Sequence, residues 1–246
     1  NPLKDMSLFF PTLFSGIGSF SDKLKIMKLN NHLKKKSLVA IFSFKEQSTL
    51  SYLTDFGFSN KIINDFFQPF FSGIFLEPDL KTSSRMFEFV YKMFGEGYAA
   101  VPKAGIEAIP KQLFRNLKNT TFNFNTKVAS LNGSEIMLED DTKLESLFTI
   151  VATDASNLIP NLKMNSIKWK SCHVLYFETK SRVIRRKLIG LIAEKESLIN
   201  NIFYATSLKT ATQTKKELLS VTIVDDKNLT HDLLIKRVKC ELKKYC

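Results

Sequence analysis

Residue types that could do chemistry are few and far apart in this chain. Three histidines (His32, His173, His231) and three cysteines (Cys172, Cys240, Cys246) are scattered over 246 residues. Their spacing gives no metal site, disulfide framework or catalytic triad. There is no G-x-G-x-x-G, no phosphate loop, no G-x-S-x-G and no H-E-x-x-H. Asp140-Asp141 is a carboxylate pair, but adjacent aspartates in a hairpin turn read as solvated. Gly95-Glu96-Gly97 falls at a helix end, where a phosphate cradle needs a helix start. What remains is scaffold and pocket without a reactive group, the profile of an enzyme whose chemistry resides in a cofactor.

The elements around these residues begin with a helix expected at 5–16, carrying Met6, Leu8, Phe9, Phe10, Leu13 and Phe14. A second helix follows, capped by Ser21 or Asp22, with Leu24, Ile26, Met27, Leu29 and Leu33 apolar. Residues 37–44 fit strand or helix. A helix over 46–56 ends at Gly57, and Ser59 caps the next. Pro69 ends or kinks that one, and Gly73 permits the turn behind it. Another helix carries a stripe of Met86, Phe87, Val90, Met93 and Phe94 and stops at Gly95 and Gly97. After Gly105 a helix holds Ile106, Ile109, Leu113 and Leu117, with Pro110 in its first turn.

The pattern then changes. Strands are expected at Thr121–Asn125, Lys127–Leu131, Glu135–Glu139 and Leu144–Ala152, the last a continuous apolar run suited to a sheet buried on both faces. Cys172–Glu178, Leu188–Ile192, Ile199–Thr206 and Leu218–Val224 are strand-like, with a polar loop at 207–217. His173 is expected to face away from whatever Cys172 and Val174 pack on. An amphipathic helix runs from Thr230 to Tyr245. The fold class is therefore mixed, α+β or α/β.

Lysine and arginine number 36 against 24 acidic residues, a net charge of +12 and a pI near 9.5. Such a surface favours anionic partners. The charge is spread, however, with dense runs only at Lys34–Lys36 and Arg185–Lys187. There is no zinc-finger spacing and no basic helix interleaved with aromatics, so no nucleic-acid partner is expected. The 22 phenylalanines need a thick core or an apolar ligand cavity. Few cysteines, no apolar run of membrane-spanning length and no signal peptide point to the cytoplasm, with peripheral membrane contact as a further expectation. The chain opens on Asn and closes on Cys directly after a helix, so a piece of a longer protein is expected.

The stretch FFQPFFSGIFLEPDLKTSSRMFEFVYKMFGEGYAAVPKAGIEAIPKQL (66–113) resembles the flavin-containing amine oxidase superfamily, in its phytoene-desaturase-like and protoporphyrinogen-oxidase-like branch. Asn1-Pro2-Leu3, LFSGIGSFSDKLKIMKL (13–29) and LTDFGFSNKIINDFFQPFFSGIFL (53–76) resemble the helical part of that family's substrate domain. NTKVASLNGSEIMLEDDTKLESLFTIVATDAS (125–156) resembles a middle segment of its FAD domain. LINNIFYATSLKT and LLSVTIV (198–224) resemble the sheet that floors the substrate site.

The resemblance implies a helical substrate (cap) region at 1–104, part of an FAD-binding domain at 105–156, a substrate-domain sheet at 157–226, and a helix at 227–246. It implies FAD as cofactor, with Val128 against the adenine and Val151, Ala152 and Thr153 at a strand end approaching the cofactor. Phe67, Phe71, Phe75, Met86, Phe87 and Val90 would shape an apolar substrate cavity. No catalytic residue carries over. The family's N-terminal glycine fingerprint is missing, and Ala104-Gly105-Ile106 departs from its usual Gly-Gly-Met turn. The implied activity is oxidation of an apolar substrate, or else an amine, by hydride transfer to flavin; isomerisation without net oxidation stays open. From the residues alone, the alternative is a non-catalytic basic domain for anionic lipid or nucleic acid.

Overall fold

The computed structural model describes residues 14–97, 99–153, 155, 158–159, 169–208 and 216–245. The chain is a mixed α+β protein, with helices and, among the described residues, two antiparallel sheets. It divides into two compact units, Asn1–Ala108 with Lys170–Cys246, and Ile109–Trp169. Most of the expected helix at 5–16 lies outside the described residues, as does the centre of the 207–217 loop.

The first unit opens with α1 (Phe20–Lys35). Its N-cap is Ser19, and Asp22 closes a capping box as the third helical residue. The cap therefore falls two residues earlier than the Ser21 expected from the sequence. Ser37 caps α2 (Leu38–Ser43), which settles 37–44 as helix, and Ser48 caps α3 (Thr49–Asp55).

Of the end or kink expected at Pro69, the end does not occur. Ser59 caps α4 (Asn60–Ile62), the chain widens into a π turn over Ile63–Phe67, and α5 (Gln68–Phe75) continues with Pro69 in its first turn. In the π turn the Gln68 amide donates five residues back, to the Ile63 carbonyl. A regular helix would drive the proline ring into the carbonyl four residues back. The widened turn gives the ring room, so helical direction survives.

The corner comes later, at Leu76 and Leu80, both left-handed with φ of 52° and 53°. That conformation costs an L-residue about 1–2 kcal/mol. The buried Glu77 carboxylate offsets it by accepting from the Asp79 amide (2.9 Å) and from the Thr82 amide and hydroxyl (2.9 and 3.0 Å). Gly73 is therefore not the turn residue. It lies inside α5, where an added Cβ would stand 2.6 Å from Asn200 Oδ1. Helix α6 (Ser84–Glu96) returns along this hairpin and is capped by Gly97.

The same unit holds a four-stranded antiparallel sheet of β4 (His173–Thr179), β5 (Gly190–Leu191), β6 (Asn201–Tyr204) and β7 (Glu217–Ile223), in the order β4-β7-β6-β5. Helix α8 (His231–Leu242) packs Leu234, Val238 and Leu242 on Ile202, Tyr204, Leu219, Val221 and Ile223. Leu175 and Phe177 join this core, while Val174 and Tyr176 are exposed. The expected packing of Cys172 and Val174 is thus reversed, and it is the odd face of β4 that is covered. His173 sits at the strand's edge with Nε2 3.1 Å from Asp226 Oδ2.

The second unit holds most of α7 (Ala108–Asn116) and a meander of β1 (Val128–Asn132), β2 (Glu135–Leu138) and β3 (Lys143–Glu145). Two expectations fail here. Residues 121–125 form no strand; the Phe122 and Phe124 rings meet Phe114 in tilted contacts instead, at 4.7 and 5.7 Å. The run at 146–152 stays out of the sheet after Glu145, with Leu147, Phe148 and Ile150 fully or largely exposed. Among the described residues of this unit only Leu131 and Leu138 are buried.

Candidate functional site

The aromatic hairpin is built by helical spacing. Phe67, Phe71 and Phe75 recur every fourth residue, and Phe87 and Tyr91 face them from α6. Ring centroids lie 6.4 Å apart for Phe67–Phe71, 4.7 Å for Phe71–Phe87 and 5.4 Å for Phe71–Phe75. Stacked and tilted arrangements of this kind add to simple burial. Phe67, Phe71 and Phe87 are wholly enclosed. Phe75 and Val90 pack on this cluster but keep some surface, and Met86 is 39% exposed. Five of the six expected cavity residues are thus brought together, and Met86 points to solvent.

Two acidic residues lock this region. Asp22 is buried and accepts from the Ser19 amide (2.8 Å) and hydroxyl (2.7 Å) and from the Ser59 amide (2.9 Å) and hydroxyl (2.7 Å). One carboxylate thereby ties together the N-caps of α1 and α4. Burial pushes its pKa up, but these hydrogen bonds outweigh it and hold the group well below the usual carboxylate range. Glu88, also buried, pairs with Lys36 at 2.6 Å. Burial, then the charge and hydrogen bond of Glu88, push the Tyr52 phenol far above its ordinary value. Both networks are satisfied and structural.

A cavity of about 370 Å³ opens on the other side of α5, lined by Asn64, Gln68, Ser72, Asn200, Asp225 and Lys227 among others. Two of its amides already serve the backbone. Asn200 Nδ2 donates to the Pro69 carbonyl at 3.0 Å and Gln68 Nε2 to the Pro78 carbonyl at 2.9 Å. The sequence reading passed over these residues. The signal was Gln68 and Ser72, four apart in an otherwise apolar helix.

The sheet presents a second surface. On the face away from α8, Tyr176, Ser220 and Phe203 form one cross-strand row, since Ser220 pairs with both rings' residues. Tyr176 is 63% exposed, while Ser220 and Phe203 are half-buried. An aromatic pair flanking a small residue on a sheet face makes a flat apolar platform with one phenol for polar contact. Among the described residues no group of His, Cys, Asp or Glu could hold a metal.

In the second unit, Val128 starts β1 opposite Leu138 and is half-buried. Val151 is half-buried, Ala152 and Thr153 are exposed, and no protein hydrogen bond to them occurs among the described residues. The chain then returns alongside β1, where the Leu131 amide donates to the Leu158 carbonyl at 2.7 Å. An open backbone segment beside a short meander can supply an edge to a flat ligand. It is not a dinucleotide cradle, which needs a glycine-rich turn into a helix N-terminus.

Comparison with known proteins bears on this partial site. No individual curated protein matches the chain. The model of the family described as flavin containing amine oxidoreductase matches residues 3–245. That span is nearly the whole sequence, so the chain belongs to the flavin-containing amine oxidoreductase family, and its cofactor is FAD.

Proposed function

We propose that this chain forms the substrate-side walls of an FAD-dependent oxidoreductase of the phytoene-desaturase-like and protoporphyrinogen-oxidase-like branch. Its substrate is lipophilic, an isoprenoid or a polycyclic molecule in preference to an amine, and is oxidised by hydride transfer to the flavin. The observation that carries this reading is the cross-strand row Tyr176–Ser220–Phe203, exposed at Tyr176, in a chain of this family. A flat apolar platform suits a flat or extended apolar molecule. Tyr176 offers a hydroxyl where the substrate has a polar end.

When bound, FAD supplies the hydride acceptor. The work of this chain's own residues is to bind the substrate, orient it and exclude water. Phe75, Met86 and Val90 keep surface and contribute side-wall contacts, with Phe67, Phe71 and Phe87 as their rigid backing. In the second unit, Val128 and residues Val151, Ala152 and Thr153 form an edge against the cofactor. On this reading 1–104 and 157–226 serve the substrate and 105–156 serves the cofactor.

Anaerobic bleaching of the flavin absorbance tests the proposal. Isoprenoid or polycyclic compounds should bleach the holoenzyme, and simple primary amines should do so far more slowly. Bleaching by amines alone would overturn the substrate class. Replacing Tyr176 and Phe203 by Ala should raise KM about tenfold or more and leave kcat comparatively unaffected, the mark of lost uniform binding.

A further inference from the structure

Helix α1 carries two apolar stripes where packing uses one. Ile26, Leu29 and Leu33 face the core of the first unit, with Leu29 and Leu33 fully buried. On the opposite side Phe20, Leu24 and Met27 are 64%, 51% and 45% exposed. At 100° per residue these three fall within an arc of about 60°. Ile17, just before the helix, is exposed as well. A surface helix needs a single apolar stripe, and among the described residues the outer one joins neither hydrophobic core.

The charge around that stripe has one sign. Lys28 and Lys35 border it on one side and Lys23 and Lys34 on the other. Lys25 lies farther round the helix. The single acidic residue of α1, Asp22, is buried on the inner side and held by Ser19 and Ser59. Nothing acidic on this helix faces outward. Lys28, Lys34 and Lys35 are exposed.

We propose that the outer face of α1 docks this protein on an anionic phospholipid surface. The helix lies in the plane of the interface, with Phe20, Leu24 and Met27 in the acyl boundary and the lysine stems reaching up to the headgroup phosphates. Lysines on both borders would repel one another across a pair of identical helices, which favours a lipid partner over a second copy. No helix among the described residues is long and apolar enough to cross a membrane, so the attachment rests on one face. The inference is independent of the flavin and substrate reading.

Vesicle flotation of the full chain tests it. The protein should float with vesicles of phosphatidylcholine mixed with phosphatidylglycerol, not with phosphatidylcholine alone, and added salt should weaken the binding. The variant F20S/L24S/M27S, with its helix content checked by circular dichroism, should lose at least tenfold in partitioning. The variant K28E/K34E/K35E leaves every packed residue in place and should lose more than about fivefold for each lysine. It carries the test should the serine variant fail to fold. Failure of the wild type to float, or equal flotation of the lysine variant, would overturn the proposal. So would a concentration-dependent dimer, without flotation, that the serine substitutions abolish; that result would assign the stripe to a second copy.

Discussion

Asp22 accepts four hydrogen bonds from two serines 40 residues apart, which makes it the most consequential single polar side chain of the helical region. Asp22→Asn should cost about 2–4 kcal/mol, because buried donors lose their acceptors and two caps weaken together. The pH dependence has a definite sign. The folded pKa is depressed below the unfolded value of about 3.9, so the contribution is complete above that value. It is lost as pH falls through the folded pKa. The stability gap between wild type and Asp22→Asn, measured by denaturant titration, should therefore be constant near neutrality and narrow below about pH 4. The second network predicts differently. Lys36→Met strands Glu88 in the core beside Tyr52 and should cost about 3–5 kcal/mol, whereas Lys36→Met with Glu88→Gln should recover much of that in a double-mutant cycle. The sequence placed a cap near residue 21 because Ser and Asp both cap helices. The Ser19-x-x-Asp22 box was present in the sequence, but its tie to Ser59 spans 37 residues, and local pattern does not reach that far.

At the scale of elements, the aromatic hairpin was legible because Phe67, Phe71, Phe75 and Phe87 repeat at helical spacing. Its route past Pro69 was not, because a π turn is a relaxation of backbone geometry without a residue signature. Gly73 was misjudged for a related reason. Glycine marks both turns and close approaches, and here Asn200 is the neighbour that decides. Gly73→Ala should destabilise by about 1–3 kcal/mol, and Asn200→Ala in the same chain should return part of the loss, as thermal melts of the two single variants and the double would show. The run at 146–152 reads as a doubly buried strand, yet pattern records only what a segment can do. Without a partner strand Leu147, Phe148 and Ile150 remain on the surface. The outer stripe of α1 was likewise invisible. Leu24, Met27, Leu29 and Leu33 are equally apolar as letters, and only burial separates the inner pair from the outer.

At the scale of the molecule, the two units differ in what holds them. The first has two extensive cores, one helical and one between sheet and helix. Among its described residues the second buries only Leu131 and Leu138, too little to offset the ordering of some sixty residues. Its amides should exchange hydrogen far faster than those of β6, β7 and α8, and mass-resolved exchange would show the boundary near residue 109. The family, the cofactor and the mixed fold were within reach of the sequence because the order of segments along the whole chain carries them. Catalytic residues were not, since the resemblance carries none over and the family's chemistry resides in its cofactor. On the proposed function, this chain's own residues bind and orient a lipophilic substrate and the flavin supplies the chemistry. Flavin absorbance tests that most directly. The flavin-loaded protein should be bleached anaerobically by an isoprenoid or polycyclic compound, and Tyr176→Ala with Phe203→Ala should raise the concentration needed about tenfold. A protein that binds no flavin, or a bound flavin that no such compound bleaches, would contradict the account.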